Sequence, residues 1–256
     1  FVSTVPDSYT AQAIIITDGD NNQITAFHPG AMQAAHQTEV QRIPDLSIAI
    51  VAPDGRDAMI QHAAQLAAEG IPFIFDPGQG LPMFDGAELM RFVEQATWVA
   101  ANDYEGRMLC ERTGKSLAEL SRSHLKGIVI TLAGEGCEIW QNGERTHVPG
   151  VTATAIVDPT GCGDAFRAAL LYGLERGWTL ARCAELGNRL GALKIASATQ
   201  RRHGDQYAVL VMDLDSFKQI NDTYGHQAGD QVLKDFVELI KAYSRKEDRL
   251  FRFGGE

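Results

Sequence analysis

The sequence predicts an α/β protein: a mostly parallel sheet with helices packed on both faces. Three observations carry this. Short apolar runs without a polar side recur at residues 47–52, 72–75, 98–101 and 128–131, as expected of strands buried on both faces. Segments of helical periodicity separate them. Asp76, Asn102, Glu105, Gly134, Gly136 and Asp164 each follow directly on a predicted strand or turn, where open α/β sheets bind ligands.

The elements follow in order. Residues 13–17 form a β-branched run and residues 23–27 alternate, with the turn-forming 18–22 between them, so a hairpin is predicted. The strand at 47–52 ends at Pro53-Asp54-Gly55, and Met59, Ile60, Ala63, Ala64, Leu66 and Ala67 mark a helix over 56–69 closed by Gly70. The strand at 72–75 ends at Asp76-Pro77-Gly78. A helix at 87–95, a strand at 98–101 and a helix opening at 104–111 follow. Strands at 128–131 and 137–140 precede two helices, 163–175 and 180–198. After Gln200 the pattern changes to a strand at 207–212, helices at 217–224 and 231–243, and a strand beginning at 250–253. The chain is therefore divided into residues 1–198 and 199–256.

Composition narrows the function. The 256 residues are 45% hydrophobic, enough for one large core or two smaller ones. The formal charge of −10 disfavours non-specific binding to nucleic acid or anionic membranes. Acidity is concentrated in residues 1–199, with 14 basic and 23 acidic side chains against nine and ten beyond. The four cysteines form no CxxC pair, so reduced thiols of a cytoplasmic protein are expected rather than a zinc site. No apolar run is long enough to span a bilayer, and the start of the chain lacks signal-peptide order.

The segment Asp158-Pro159-Thr160-Gly161-Cys162-Gly163-Asp164-Ala165-Phe166 opens an apolar helix. Two glycines around one small residue suit a turn whose amides face an anion at a helix N-terminus. Asp164 then stands beside that anion, placed to take a proton from an attacking hydroxyl. This chemistry is phosphoryl transfer. The residues alone also allow a tight turn with an ordinary helix start. Asn102 and Glu105 also read as first-turn residues of a helix, and Gly134 and Gly136 as a plain hairpin turn.

Residues 1–198 resemble the ribokinase-like (PfkB-type) carbohydrate and nucleoside kinases. Asp158–Asp164 is similar to the family's D-[PT]-x-G-x-G-D signature. Within the family the chain looks most like bacterial adenosine kinases, through residues 21–31 and Phe75-Asp76-Pro77-Gly78-Gln79-Gly80-Leu81-Pro82. The resemblance implies a three-layer αβα fold and transfer of the ATP γ-phosphate to a nucleoside or sugar hydroxyl. It implies Asp164 as the catalytic base and the amides of Gly161, Cys162 and Gly163 as an anion hole. Asn102-Asp103-Tyr104-Glu105 matches the family's N-x-x-E motif, implying that Asn102 and Glu105 support Mg²⁺ and phosphate, with Glu105 toward the metal. Thr131, Gly134 and Gly136 match a turn near the nucleotide. The family's opening strand, with its acceptor-binding Asp, and its Gly-Gly segment have no counterpart here. The kinase core is therefore expected to be incomplete at its start, its activity impaired, and its exposed sheet edges prone to homodimerisation or aggregation.

Residues 201–256 resemble the first half of a GGDEF diguanylate cyclase domain. The resemblance rests on residues 213–222, on Gly225-His226-Gln227-Ala228-Gly229-Asp230, and on Arg252-Phe253-Gly254-Gly255-Glu256. It implies an appended βααβ fragment in which Asp213 binds metal, Asn221 and Asp230 meet the guanine edge, and Lys218 approaches phosphate. GTP is expected to bind weakly at most, without cyclisation. Three functions follow: a Mg-ATP-dependent kinase, a nucleotide-binding module without chemistry, or an engineered or recombined chimera of two family pieces without turnover.

Overall fold

The computed structural model describes residues 4–17, 23–40, 43–196, 221, 223 and 225–243. Its contacts divide the chain into two compact units, Phe1–Arg202 and His203–Glu256. The strands predicted at 207–212 and 250–253, most of the helix predicted at 217–224, and the candidate residues Asp213 and Lys218 lie outside the described residues.

The first unit opens with the hairpin. Strand β1 (Gln12–Thr17) pairs antiparallel with β2 (Gln23–His28), Gln12 opposite His28 and Thr17 opposite Gln23. Residues Gly30–Gln37 form a 3₁₀ stretch whose start no side-chain cap marks.

A six-stranded sheet follows in sequential order: β3 (Ala49–Val51), β4 (Phe73–Phe75), β5 (Trp98–Asn102), β6 (Gly127–Thr131), β7 (Gly136–Gln141) and β8 (Glu144–Pro149). The first four strands run parallel, and β6–β7 and β7–β8 are antiparallel. The parallel neighbours are joined through helices: α1 (Arg56–Ala68) after β3, α2 (Gly86–Gln95) after β4, then α3 (Asp103–Thr113) and the short α4 (Leu117–Leu120) after β5. Helices α5 (Cys162–Glu175) and α6 (Leu180–Ile195) come last.

Period-two alternation sorts the strand residues into two cores. Phe73, Phe75, Val99, Ala101, Ile128 and Ile130 pack with Met59, Leu66 and Phe92 of α1 and α2 and with Leu109 of α3. Their neighbours Ile74, Trp98, Ala100 and Val129 point the other way, onto Phe166 and Leu170 of α5 and Cys183 of α6. Each strand thus buries both faces, which explains its unbroken apolar run. The three-layer αβα architecture follows. Strand β8 escapes sequence reading because four of its first five residues are polar and only Val148 is buried.

In the second unit, helix α7 (His226–Tyr243) is the described element, with the Asn221 carbonyl accepting the Gly225 amide at 2.9 Å. Asp230 is exposed on it. Among the described residues no helix is long and apolar enough to cross a membrane. All four cysteines are free thiols, Cys137 and Cys183 being buried.

Candidate active site at the sheet edge

The carboxyl ends of β4 and β5 and the start of α5 converge on one polar cluster. Asp76 leaves β4 almost fully buried, 2% exposed. Asn102 closes β5 and caps α3. Its side chain accepts the Glu105 amide at 2.8 Å, and Glu105 Oε2 accepts the Asn102 amide at 2.8 Å. This reciprocal capping box satisfies two helix-start donors and holds the Glu105 carboxylate in place, 8% exposed. Its second oxygen has no hydrogen-bond partner among the described residues.

The loop before α5 is built by local bonds. The Thr160 amide donates to Asp158 Oδ1 at 2.9 Å, and the Val157 and Asp158 amides donate to the Ile195 carbonyl at the end of α6, at 2.8 and 3.2 Å. Gly161 then takes the left-handed conformation, φ 82°, as N-cap of α5. That turn presents the first amides of the helix, which have no intrahelical partner. The Cys162 amide donates to the Pro159 carbonyl at 3.2 Å, so the Gly161, Gly163 and Asp164 amides are those of this turn without a backbone partner among the described residues. Asp164 is exposed in the first turn. A Cβ placed on Gly161 would lie 4.0 Å from Asp164 Oδ2 and 3.4 Å from Lys194 Cε. The Asp164 carboxylate and the Lys194 stem therefore flank the turn.

Arg167 ties the cluster together. Its Nη2 donates to Asp76 Oδ1 at 2.7 Å, and its Nε forms an ion pair with Asp76 Oδ2. Burial pushes the Asp76 carboxyl above its ordinary range; Arg167 opposes the shift and Asp164 adds to it. Glu105 is likewise raised, mainly by burial, against the pull of the Asn102 amide and with a further push from Asp76. The Arg167 guanidinium is raised despite its burial, by Asp76 first and also by Glu105 and Asp164. One arginine thus senses three carboxyl groups.

Of the residues singled out by sequence, Asp76, Glu105 and Asp164 all act on Arg167 in this cluster, and Asn102 holds Glu105. Thr131 ends β6, its hydroxyl reaching the Ala101 carbonyl at 3.5 Å. Gly136 opens β7 with φ 99° and caps the 3₁₀ turn that joins β6 to β7, and any side chain there would collide with the Val148 carbonyl of β8. No hydrogen bond among the described residues joins Thr131, Gly134 or Gly136 to the Gly161–Asp164 turn. Arg167 was missed by sequence reasoning, although a lone arginine in the apolar run Ala165-Phe166-Arg167-Ala168-Ala169-Leu170 was a usable signal.

Among the described residues no three His, Cys, Asp or Glu side chains group as a metal site. The free Glu105 oxygen nevertheless fits Mg²⁺, which keeps several waters and takes one or two carboxylates together with substrate phosphates.

The chain is similar to known proteins along both of its parts. The nucleoside kinase of Methanocaldococcus jannaschii is 31% identical over 182 residues, covering 70% of this chain and 58% of that protein. The solved structure of Burkholderia thailandensis nucleoside kinase in complex with inosine is 51% identical, with a TM-score of 0.73, covering 75% of this chain and 63% of that one. The chain thus spans about three-fifths of the length of these relatives. At the other end, residues 184–256 match the family model for the diguanylate cyclase GGDEF domain, and 74 residues are 43% identical to a diguanylate cyclase of Shewanella oneidensis, covering 25% of that protein. Residues 1–202 match the model of the pfkB family carbohydrate kinases, and with its ribokinase-like sheet and the turn before α5 the chain belongs to that family.

Proposed function

We propose that the site binds Mg-ATP and transfers its γ-phosphoryl group to a hydroxyl of a nucleoside, adenosine or a related purine nucleoside, with a sugar as the other candidate acceptor. The carrying observation is the α5 turn: left-handed Gly161, first-turn amides without a helix partner, and the exposed Asp164 carboxylate beside Gly161. The solved relative from Burkholderia thailandensis has been captured with inosine and with ADP-inosine, which supports a nucleoside acceptor and an adenine nucleotide donor.

Each residue has one task. Asp164 accepts the hydroxyl proton as the oxygen–phosphorus bond forms. The bond to the β-phosphate oxygen breaks, and its electron pair leaves on ADP. The Gly161, Cys162 and Gly163 turn holds charge on the equatorial oxygens, the Cys162 amide turning from Pro159 to do so. Such positioning and fixed dipoles supply most of the catalysis in phosphoryl transfer. Glu105 would hold Mg²⁺ through its free oxygen, with Asn102 fixing the carboxylate. Mg²⁺ neutralises the phosphates when bound.

The test is ADP release from Mg-ATP with adenosine or inosine, against Asp164→Asn. Release that depends on both nucleoside and Asp164 supports the proposal; equal release from wild type and variant sinks it. The edge strand β3 favours a second reading. Among the described residues β4 is its single strand partner, so one edge of the sheet is unpaired there. Binding without turnover would then appear as ATP-dependent stabilisation with no ADP formed. For residues 184–256 we propose at most weak guanine-nucleotide contact through Asn221 and Asp230.

A further inference from the structure

Arginine offers three nitrogens in one planar fork, and a carboxylate can engage only one edge of it at a time. In this protein Asp76 takes the edge formed by Nε and Nη2. The third nitrogen, Nη1, has no hydrogen-bond partner among the described residues. It lies against Gly163: a Cβ on that glycine would collide with Nη1 and come within 3.7 Å of Cζ. Gly163 is the centre of the turn that presents the α5 amides, and Arg167 stands three residues after Asp164 on the same helix face. A buried carboxylate at the end of β4 therefore fixes the orientation of the guanidinium, and the unengaged end of the fork is aimed at the anion turn.

We propose that Arg167 is a catalytic cation of this site: gripped by Asp76, it places Nη1 on the phosphoryl group as that group passes from donor to acceptor. Asp76 is the positioning residue behind it. The inference rests on the phosphotransfer reading above and adds to it a charged contact that the amides cannot provide. Planar, bidentate geometry explains the choice of arginine. A lysine would give one point charge, which Asp76 alone would absorb. It also gives Gly163 a specific reason to lack a side chain.

The experiment compares Mg-ATP and Mg-ADP binding by calorimetry in the full chain. Two variants are used: Arg167→Lys, which keeps the ion pair, and the double variant D76N/R167Q, which leaves no lone buried charge. Circular dichroism confirms that each folds. ATP carries the group in transfer and ADP does not. The expected result is ATP affinity lowered about 10- to 100-fold, the size of one charge-assisted contact, with ADP affinity within about 3-fold of wild type. Equal losses for ATP and ADP, or none, would overturn the role of Arg167 while leaving the nucleotide site standing. A wild-type chain that binds neither nucleotide would overturn the phosphotransfer reading and this inference with it.

Discussion

Gly161 and Gly163 stand two residues apart, yet the structure requires glycine at each for a different reason, and the two substitutions to alanine separate them. At Gly161 the space is open: the nearest atom to an added Cβ is Lys194 Cε at 3.4 Å, ordinary contact. The obstacle is the backbone, φ 82°. An L-residue in that conformation costs roughly 1–2 kcal/mol, offset by about 0.4–1 kcal/mol from the stiffer unfolded chain. The net loss for Gly161→Ala is about 1 kcal/mol, or ~2–4 °C in Tm for a unit of this size. Asparagine tolerates the left-handed region, so Gly161→Asn should recover part of it. At Gly163 the backbone is ordinary and the obstacle is Nη1 of Arg167, the end of the fork that Asp76 does not hold, so a small shift of the guanidinium relieves it without breaking the ion pair. Gly163→Ala should therefore hold its stability, helped by alanine's helix preference of up to about 1 kcal/mol, while losing most of the stabilisation by Mg-ATP. That stabilisation is about 2.7 kcal/mol at 100 times Kd. Denaturant titration with and without Mg-ATP reads both effects. A Gly161→Ala variant as stable as wild type, or a Gly163→Ala variant less stable than Gly161→Ala, would refute the reasoning.

Three further outcomes follow from the same structure. Glu105→Gln keeps an acceptor for the Asn102 amide and removes a carboxylate whose folded pKa burial has raised above 4.5. A raised acid adds stability that is complete below the unfolded value and lost as pH rises through the folded one, so the variant should be more stable than wild type at pH 7, with the gap closing below about pH 4.5; a gap that widens on acidification contradicts this. Phe75, fully buried, stacks on Phe92 with centroids 4.4 Å apart and planes 4° from parallel. Phe75→Ala should cost about 3–5 kcal/mol in urea unfolding, and a loss under about 1 kcal/mol would show that the Asp76 end of β4 is not anchored there. Burial pushes the thiols of Cys137 and Cys183 up to about 12 and about 11. A thiol reagent at about pH 8 should reach Cys110 and Cys162 first and the other two only on unfolding. Two equally fast buried thiols would contradict that core.

Much of this fold is legible in the chain. Phe73-Ile74-Phe75 and Ile128-Val129-Ile130 have no polar side because each alternate residue meets a different helix layer. That burial is what the eye reads as a parallel strand. The Asn102 capping box is visible as residues three apart, a purely local signal. What stays hidden is edge and distance. Strand β8 begins Glu144-Arg145-Thr146-His147, all exposed, so sequence alone makes it a loop. The 3₁₀ stretch at Gly30–Gln37 has no side-chain cap to mark its start. Gly136 shows why a motif glycine is ambiguous: its positive φ serves the β6–β7 hairpin whatever else lies nearby. Asp76 and Arg167 are 91 residues apart, and no periodicity links two such positions. Only the layering, with β4 ending under the first turn of α5, brings them together.

That pairing bears on why the site is built as it is. A buried ion pair is a poor source of stability, since desolvation offsets most of the attraction, so packing alone gives little reason to keep Asp76 and Arg167. Electrostatics gives a better one. Asp76, Glu105 and Asp164 crowd three carboxyl groups around the turn proposed to hold a polyanion; Asp76 and Glu105 are raised, mainly by burial, and Asp164 adds to the push on Asp76. Without a cation the field there would repel the ligand that the α5 amides attract. Arg167 cancels one charge in place, and Lys194 beside Gly161 offers a second. The carboxyl groups outside the Arg167 ion pair are those of Glu105 and Asp164, the two residues proposed for metal and for proton. In the proposed reaction, a divalent cation arriving with the phosphates would supply the positive charge that this crowded edge still lacks.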